Sequence, residues 1–335
     1  MQSVALDIKN LKKFTAALLK LGTVRGPVHS PTGVVLADIT SQSDLALEYE
    51  NFKLPPKREF FPQCEEITRF DASGVREVPV SGTADVIFGV RPCDALALSH
   101  LDRVFTDDKY TDPYYSKRRD AALLISLACN KPEAACFCTS TGGSPSSKQG
   151  ADIIGFNLGT VLLLEPLTAK GQAFVKKNKS LFRDPSAKEL QKRDKQESDV
   201  AGQIPGVAVQ QAPAALSGRS DPAFWESIAE TCLSCGACTF LCPTCHCFDF
   251  SDRAKREAGS RLRVHDACMF ASFVREASGH NPRGKKGERM RQRVMHKFSY
   301  APENFNTVFC VGCGRCVTAC PSNIDIRETL SKVTA

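Results

Sequence analysis

The sequence predicts an α+β protein, with a mixed α/β domain first and a mainly helical domain after it. Three observations carry this. Strand-like apolar runs alternate with helical patterns up to about residue 185. The stretch 186–220 turns polar, then rich in Ala, Pro, Gln and Gly. Beyond it, cysteines crowd into helical patterning with few strand signals. The 335 residues suffice for about two domains. The expected division is a domain at 1–185, a connector at 186–220 and a second domain at 221–335.

The elements follow in order. "DIKNLKKFTAALLKLG" (7–22) reads as an amphipathic helix, with Leu11, Phe14, Leu18 and Leu19 near one face. "GVVLADI" reads as a strand. "ADVIFGV" (84–90) is a buried strand, and "RPCDALALSHLDRVF" after it is a helix with Asp94 near its start. "AALLISLAC" (121–129) is another buried strand, followed by the loop "NKPEAACFCTSTGGSPSS". "GTVLLLE" (159–165) is a further strand.

Composition narrows the function. Net charge is +7, a mild excess that suits an acidic partner or anionic cofactors. It is too weak to argue for nucleic acid, and no nucleic-acid-binding pattern accompanies it. The N-terminus lacks a signal-peptide layout, and no apolar run approaches a membrane span, so no membrane insertion is expected. The expected location is the cytoplasm. Sixteen cysteines in a cytosolic chain point to metal or redox chemistry rather than disulfides.

Cys232, Cys235, Cys238 and Cys242 obey C-x2-C-x2-C-x3-C-P, ending on Pro243. Cys310, Cys313, Cys316 and Cys320 repeat it, ending on Pro321. This is the bacterial two-cluster ferredoxin signature. Three cysteines in a tight loop reach three irons of one cubane; the fourth points away and ligates the other cluster. One [4Fe–4S] cluster is thus assigned to Cys232, Cys235, Cys238 and Cys320, the second to Cys310, Cys313, Cys316 and Cys242. Gly236, Gly312 and Gly314 suit the turns around the sulfurs. The second domain is therefore expected to be ferredoxin-like. Structural zinc is the plain alternative, but zinc sites need neither the third cysteine nor the C-P ending. Cys238, Cys242 and Cys245 also spell C-x3-C-x2-C, the radical-SAM spacing. Two of these are claimed by the stronger motif, and no barrel strand precedes them.

A further group lies upstream. Cys93 follows a strand at a helix start, Cys129 ends another strand, and Cys136 and Cys138 follow in "ACFC". Ligands gather outside the carboxyl ends of strands in open α/β sheets, so two neighbouring strand ends would unite these four. Buried structural cysteines are the alternative. The basic run "NPRGKKGERMRQRVMHK" (281–297) reads equally as a solvated helix face or as charge set against a partner or a cluster.

These blocks, with "CPTCHC", "HDACMF", "ASGHNPRG" and "CVGCGRCVTACPSNIDI", resemble one family. It is the β (iron–sulfur) subunit of cytosolic NiFe hydrogenase/sulfhydrogenase, also represented by the A subunit of anaerobic sulfite reductase. The resemblance covers most of the chain. It implies that Cys93, Cys129, Cys136 and Cys138 act together as a third cluster site. It leaves Cys64 outside the pattern. It also implies an electron relay beside an FAD- and NAD(P)-binding reductase subunit, serving a catalytic or further iron–sulfur subunit of an anaerobic complex. Such a complex would be a hydrogenase, a sulfite or sulfur reductase, or a heterodisulfide-reductase-linked assembly. The residues agree in one respect: no G-x-G-x-x-G follows any predicted strand. A free-standing multi-cluster carrier and an enzyme reducing a sulfur species at its own cluster are the alternatives. Cys245, Cys247 and Cys268 remain after these assignments. They are read as a further iron–sulfur centre, its fourth ligand supplied by a nearby side chain such as His265 or Asp266, or by a neighbouring subunit. Buried thiols are the alternative there.

Overall fold

The computed structural model describes residues 2–31, 33–41, 45–81, 84–107 and 109–335. Its strands, in chain order, are β1 (Val4–Asp7), β2 (Val24–Ser30), β3 (Gly33–Asp38), β4 (Cys64–Asp71), β5 (Gly74–Glu77), β6 (Val86–Val90), β7 (Leu123–Leu127), β8 (Ile153–Asn157), β9 (Val161–Pro166), β10 (Phe248–Lys255) and β11 (Ala258–His265). An N-terminal mixed α/β region is followed by a more helical C-terminal region. The chain divides into two compact units. One comprises Met1–Phe60, Gly82–Gly206 and Val311–Gly314; the other comprises Phe61–Ser81, Val207–Cys310 and Arg315–Ala335.

In the first unit seven strands form one sheet, ordered β1-β9-β8-β7-β6-β2-β3. The middle four, β8, β7, β6 and β2, run parallel, and antiparallel strands flank them. Every residue of β6 (VIFGV) and β7 (LLISL) is buried, as strands covered on both faces require. Period-two alternation sends Ile153, Leu162 and Leu164 to one face with Phe14, Phe88 and Phe174, and sends Ile154, Phe156 and Leu163 to the other. The helix Leu11–Leu19 covers the first face because Leu11, Phe14 and Leu18 recur at helical spacing.

The segment 186–220, read from sequence as a connector, contains the helix Ala187–Gly202. Ser186 and Glu189 close a reciprocal capping box at its start. Leu190 packs on the second face of the sheet, and Lys192 Nζ donates to Leu158 O at 2.6 Å. The first unit thus runs on to Gly206, and the second takes up at Val207.

The second unit holds a four-stranded antiparallel sheet, ordered β10-β11-β4-β5. This sheet was not foreseen in a domain expected to be mainly helical. β10 is an exposed edge carrying Asp249, Asp252, Arg253 and Lys255, so it lacks an apolar alternation. β4 and β5 come from residues 61–81, in the sequence half assigned to the first domain. The rest of the second unit is largely helical. The helix Lys286–Met295 passes through a π-helical turn, His296–Tyr300, into Ala301–Phe305, and Ile326–Thr334 ends the chain. Among the described residues no helix is long and apolar enough to cross a membrane.

Candidate metal centres

In the first unit β6 and β7 are parallel neighbours, so both release the chain at the same end of the sheet. β6 leads to Arg91 and to Cys93 at the start of the helix Pro92–Phe105; β7 leads to Cys129. Arg91, which sequence reasoning missed, ties these ends together. Its Nη1 donates to Leu127 O (3.2 Å) and Ala128 O (3.0 Å), and its Nε to Glu50 O (2.8 Å). The guanidinium lies 3.8 Å from the Tyr49 ring centroid. Cys93, Cys129, Cys136 and Cys138 line one cavity of about 390 Å³, and Cys313 lines it too. Cys313 arrives on the strap Val311–Gly314, where Phe137 N–H donates to Gly312 O at 2.8 Å. Burial pushes the Cys138 thiol up to about 12, with the Cys129 and Cys136 sulfurs adding to the rise. Burial likewise raises Cys129, against the pull of Arg91. A metal that takes the proton's place removes this cost.

In the second unit Cys232, Cys235, Cys238 and Cys320 line a cavity of about 470 Å³, and Cys316 joins them. Gly236, at φ +75°, makes the turn; a Cβ there would stand 2.8 Å from the Phe270 ring. Backbone N–H groups aim at the sulfurs: Ser234 N donates to Cys232 Sγ (3.4 Å) and Ile324 N to Cys320 Sγ (3.3 Å). Cys242 and Cys310 meet around Lys297 instead. Lys297 Nζ donates to Cys242 Sγ (3.2 Å), Thr244 Oγ1 (3.1 Å) and Phe309 O (3.0 Å), the last belonging to the residue before Cys310. The eight motif cysteines are thus placed unevenly: Cys313 is in the first unit, and Cys316 lines the same cavity as Cys238. Among the described residues no three His, Cys, Asp or Glu side chains are placed to hold a single ion. A multi-iron group instead takes thiolates spread around its volume.

The basic run supplies three buried cations, Arg289, Arg293 and Lys297, spaced four residues apart along one helical face. Arg289 Nη2 donates to Ser234 Oγ at 3.1 Å and so braces the first cysteine loop. Arg293 lines the cavity, its Nε buried with no hydrogen-bond partner among the described residues. Burial by itself would lower both Arg293 and Lys297. The sulfurs of Cys238 and Cys316 around Arg293, and of Cys242, Cys245 and Cys310 around Lys297, more than reverse it. Buried cations facing neutral acceptors are costly, and an anionic thiolate-ligated cluster fits that set of donors. For these three residues the solvated-face reading fails. The signal was the i, i+4, i+8 spacing of the cations beside the apolar Met290, Val294 and Phe298.

Of the remaining three cysteines, Cys247 and Cys268 are hydrogen-bonded to each other. That bond, together with burial, holds Cys268 well above the usual thiol range. Cys245 is buried and faces Arg293 and Lys297. His265 is packed edge-on between Phe61 (5.2 Å) and Phe240 (5.1 Å). The Asp266 carboxylate accepts from Ala267 N at 2.6 Å. Cys64 starts β4 and is exposed.

Comparison with known proteins adds two findings. Residues 231–324 match the family described as the 4Fe-4S dicluster domain. The chain is also 32% identical over 339 residues to sulfhydrogenase 2 subunit beta of Pyrococcus furiosus, covering 99% of this chain and 98% of that one. A doubled cysteine motif, a cysteine-lined cavity braced by a buried arginine and this near full-length likeness converge: the chain belongs to the hydrogenase/sulfhydrogenase-type iron–sulfur subunit family, as a 4Fe-4S dicluster protein homologous to sulfhydrogenase 2 subunit beta.

Proposed function

We propose that the chain is a non-catalytic electron-transfer subunit of an anaerobic hydrogenase-type oxidoreductase complex. It relays electrons between an FAD- and NAD(P)-binding reductase subunit and a catalytic or further iron–sulfur subunit. The observation that carries this is the cavity lined by Cys232, Cys235, Cys238 and Cys320 within the dicluster region. When bound, the clusters supply one-electron redox chemistry. The ligand sets follow the motif spacing: Cys232, Cys235, Cys238 and Cys320 for one cluster, Cys310, Cys313, Cys316 and Cys242 for the second. Cys93, Cys129, Cys136 and Cys138 take a third, and Cys245, Cys247 and Cys268 a further centre. Met269, Met290, Ile324 and Ile326 give the cavity of Cys232, Cys235, Cys238 and Cys320 an apolar lining. The turns after β6 and β7 read Arg-Pro-Cys-Asp and Ala-Cys-Asn-Lys, which offer no glycine-rich cradle for a dinucleotide.

Anaerobic purification under native conditions, with mass spectrometry of co-eluting chains, tests this reading. A flavin-binding reductase subunit should co-elute, and NADH or NADPH should bleach the cluster absorbance only when it is present. A chain that elutes alone, fully iron-loaded, would point to a free carrier. A purified chain that oxidises a nicotinamide cofactor unaided would refute the relay.

A further inference from the structure

Lys297 is buried where no surface role is open to it, and its three contacts tie together two segments far apart in the sequence. Its ammonium reaches Cys242 Sγ, in the first cysteine motif, and Phe309 O, beside the first cysteine of the second motif. Thr244 completes the group. Its hydroxyl donates its one hydrogen to Phe309 O at 2.7 Å, so it has none left for the Cys242 sulfur 3.2 Å away. Lys297, rather than Thr244, therefore donates to that sulfur. The carbonyl and the hydroxyl fix the ammonium in place.

From this geometry we infer that Lys297 is a positioning residue that raises the reduction potential of the cluster ligated by Cys242. Hydrogen bonds to the sulfurs and net charge are two of the levers that set such potentials. Reduction adds one negative charge to the cluster. A buried ammonium held beside one of its thiolates favours that charge, and low local polarity strengthens the effect. Arg293 faces Cys238, Cys316, Cys245 and Cys242, so it spreads its charge over several sulfurs, whereas Lys297 donates directly to one. The device therefore separates the potentials of the two C-terminal clusters, making the Cys242 cluster the easier to reduce. The inference rests on Cys242 being a cluster ligand.

The test uses the full chain purified anaerobically, with iron analysis and an EPR-monitored redox titration poised with dithionite. Lys297→Met removes charge and donors while keeping a long apolar stem. Its iron content should match the unaltered protein, and one midpoint potential should move to a more negative value while the others stay. Unchanged potentials with full iron would overturn the proposal. If Lys297→Met loses iron, Lys297→Gln, which keeps an N–H donor without the charge, gives the reading. A negative shift of one midpoint in that variant supports the proposal. An unchanged potential, or loss of the same irons, overturns it and makes the residue structural. Cys242→Ala separates the two claims. Retention of all iron would remove Cys242 from the ligands and with it the premise. Loss of about four irons, with Lys297→Met unshifted, would remove the tuning role alone.

Discussion

Arg263 on β11 and Glu65 on β4 form a buried ion pair in antiparallel register, with Arg263 Nε donating to Glu65 Oε1 at 2.8 Å. The guanidinium also lies 5.1 Å from the Phe61 ring centroid and 5.5 Å from that of Phe248. This contact joins the 61–81 segment to the β10–β11 hairpin. Removing one partner leaves a buried charge uncompensated, at a cost of about 3–5 kcal/mol. Glu65→Ala should therefore lower the denaturant midpoint strongly. The double variant Glu65→Met/Arg263→Met should recover most of the loss, because an apolar pair leaves no charge stranded. Equal losses in both would show that the pair is not what holds the segment.

Iron content follows from the ligand sets. Two clusters require about eight irons per chain, and three require about twelve. Cys235→Ala should lose about four irons and one EPR signal. Cys64→Ala should lose none, since Cys64 starts β4 and lines neither cysteine-rich cavity. A colourless, zinc-loaded protein from anaerobic purification would sink the cluster assignment.

The cap of the helix Ala187–Gly202 gives a pH-dependent prediction. Arg183 first, then the Ser186 N–H, holds the Glu189 carboxyl down from 4.5 to about 2. Between these values the unfolded chain binds the extra proton. The stabilisation is therefore complete above pH 4.5 and is lost as pH falls toward 2. The pair is solvent-facing, so screening limits this to at most about 1 kcal/mol. Glu189→Gln should flatten that part of the acid limb of the stability curve. Ser186→Ala should cost about 1 kcal/mol at neutral pH through the lost cap.

Chemistry was more legible in this sequence than architecture. The buried strands β6, β7 and β9 show as largely apolar runs, interrupted by Ser126 in β7 and Glu165 in β9, and the cysteine motifs show by spacing alone. β2 carries Gly26 and Pro27 and imitates a turn, although it lies in the sheet interior between β3 and β6. β4 owes its strand form to pairing with β11, a partner remote in sequence, and not to local propensity, and β5 in turn pairs with β4. Arg91 and Lys297 look like ordinary surface charges until the fold buries them. What the spacing did not show is the position of Cys313, which the fold sets beside Cys138 through the close approach of Gly312.

That close approach yields the last prediction. Gly312 sits at φ +60°, and a Cβ there would stand 2.4 Å from Cys138 N and 2.5 Å from Phe137 C. Both are backbone atoms, which cannot swing aside as a side-chain tip can. Gly159 is the control: it is also left-handed, at φ +90°, but a Cβ there meets nothing within 4 Å. Gly159→Ala should therefore cost only backbone strain, roughly 1–2 kcal/mol. Gly312→Ala adds a clash that must push the strap off the loop carrying Cys136 and Cys138, breaking the Phe137 N–H to Gly312 O bond. It should destabilise the first unit by more than Gly159→Ala does, and lower iron by about four per chain if the N-terminal cysteines hold a cluster. Denaturant unfolding and iron analysis of the two variants side by side decide it. If Gly312→Ala and Gly159→Ala behave alike in both measurements, the strap does not press on the cysteine loop.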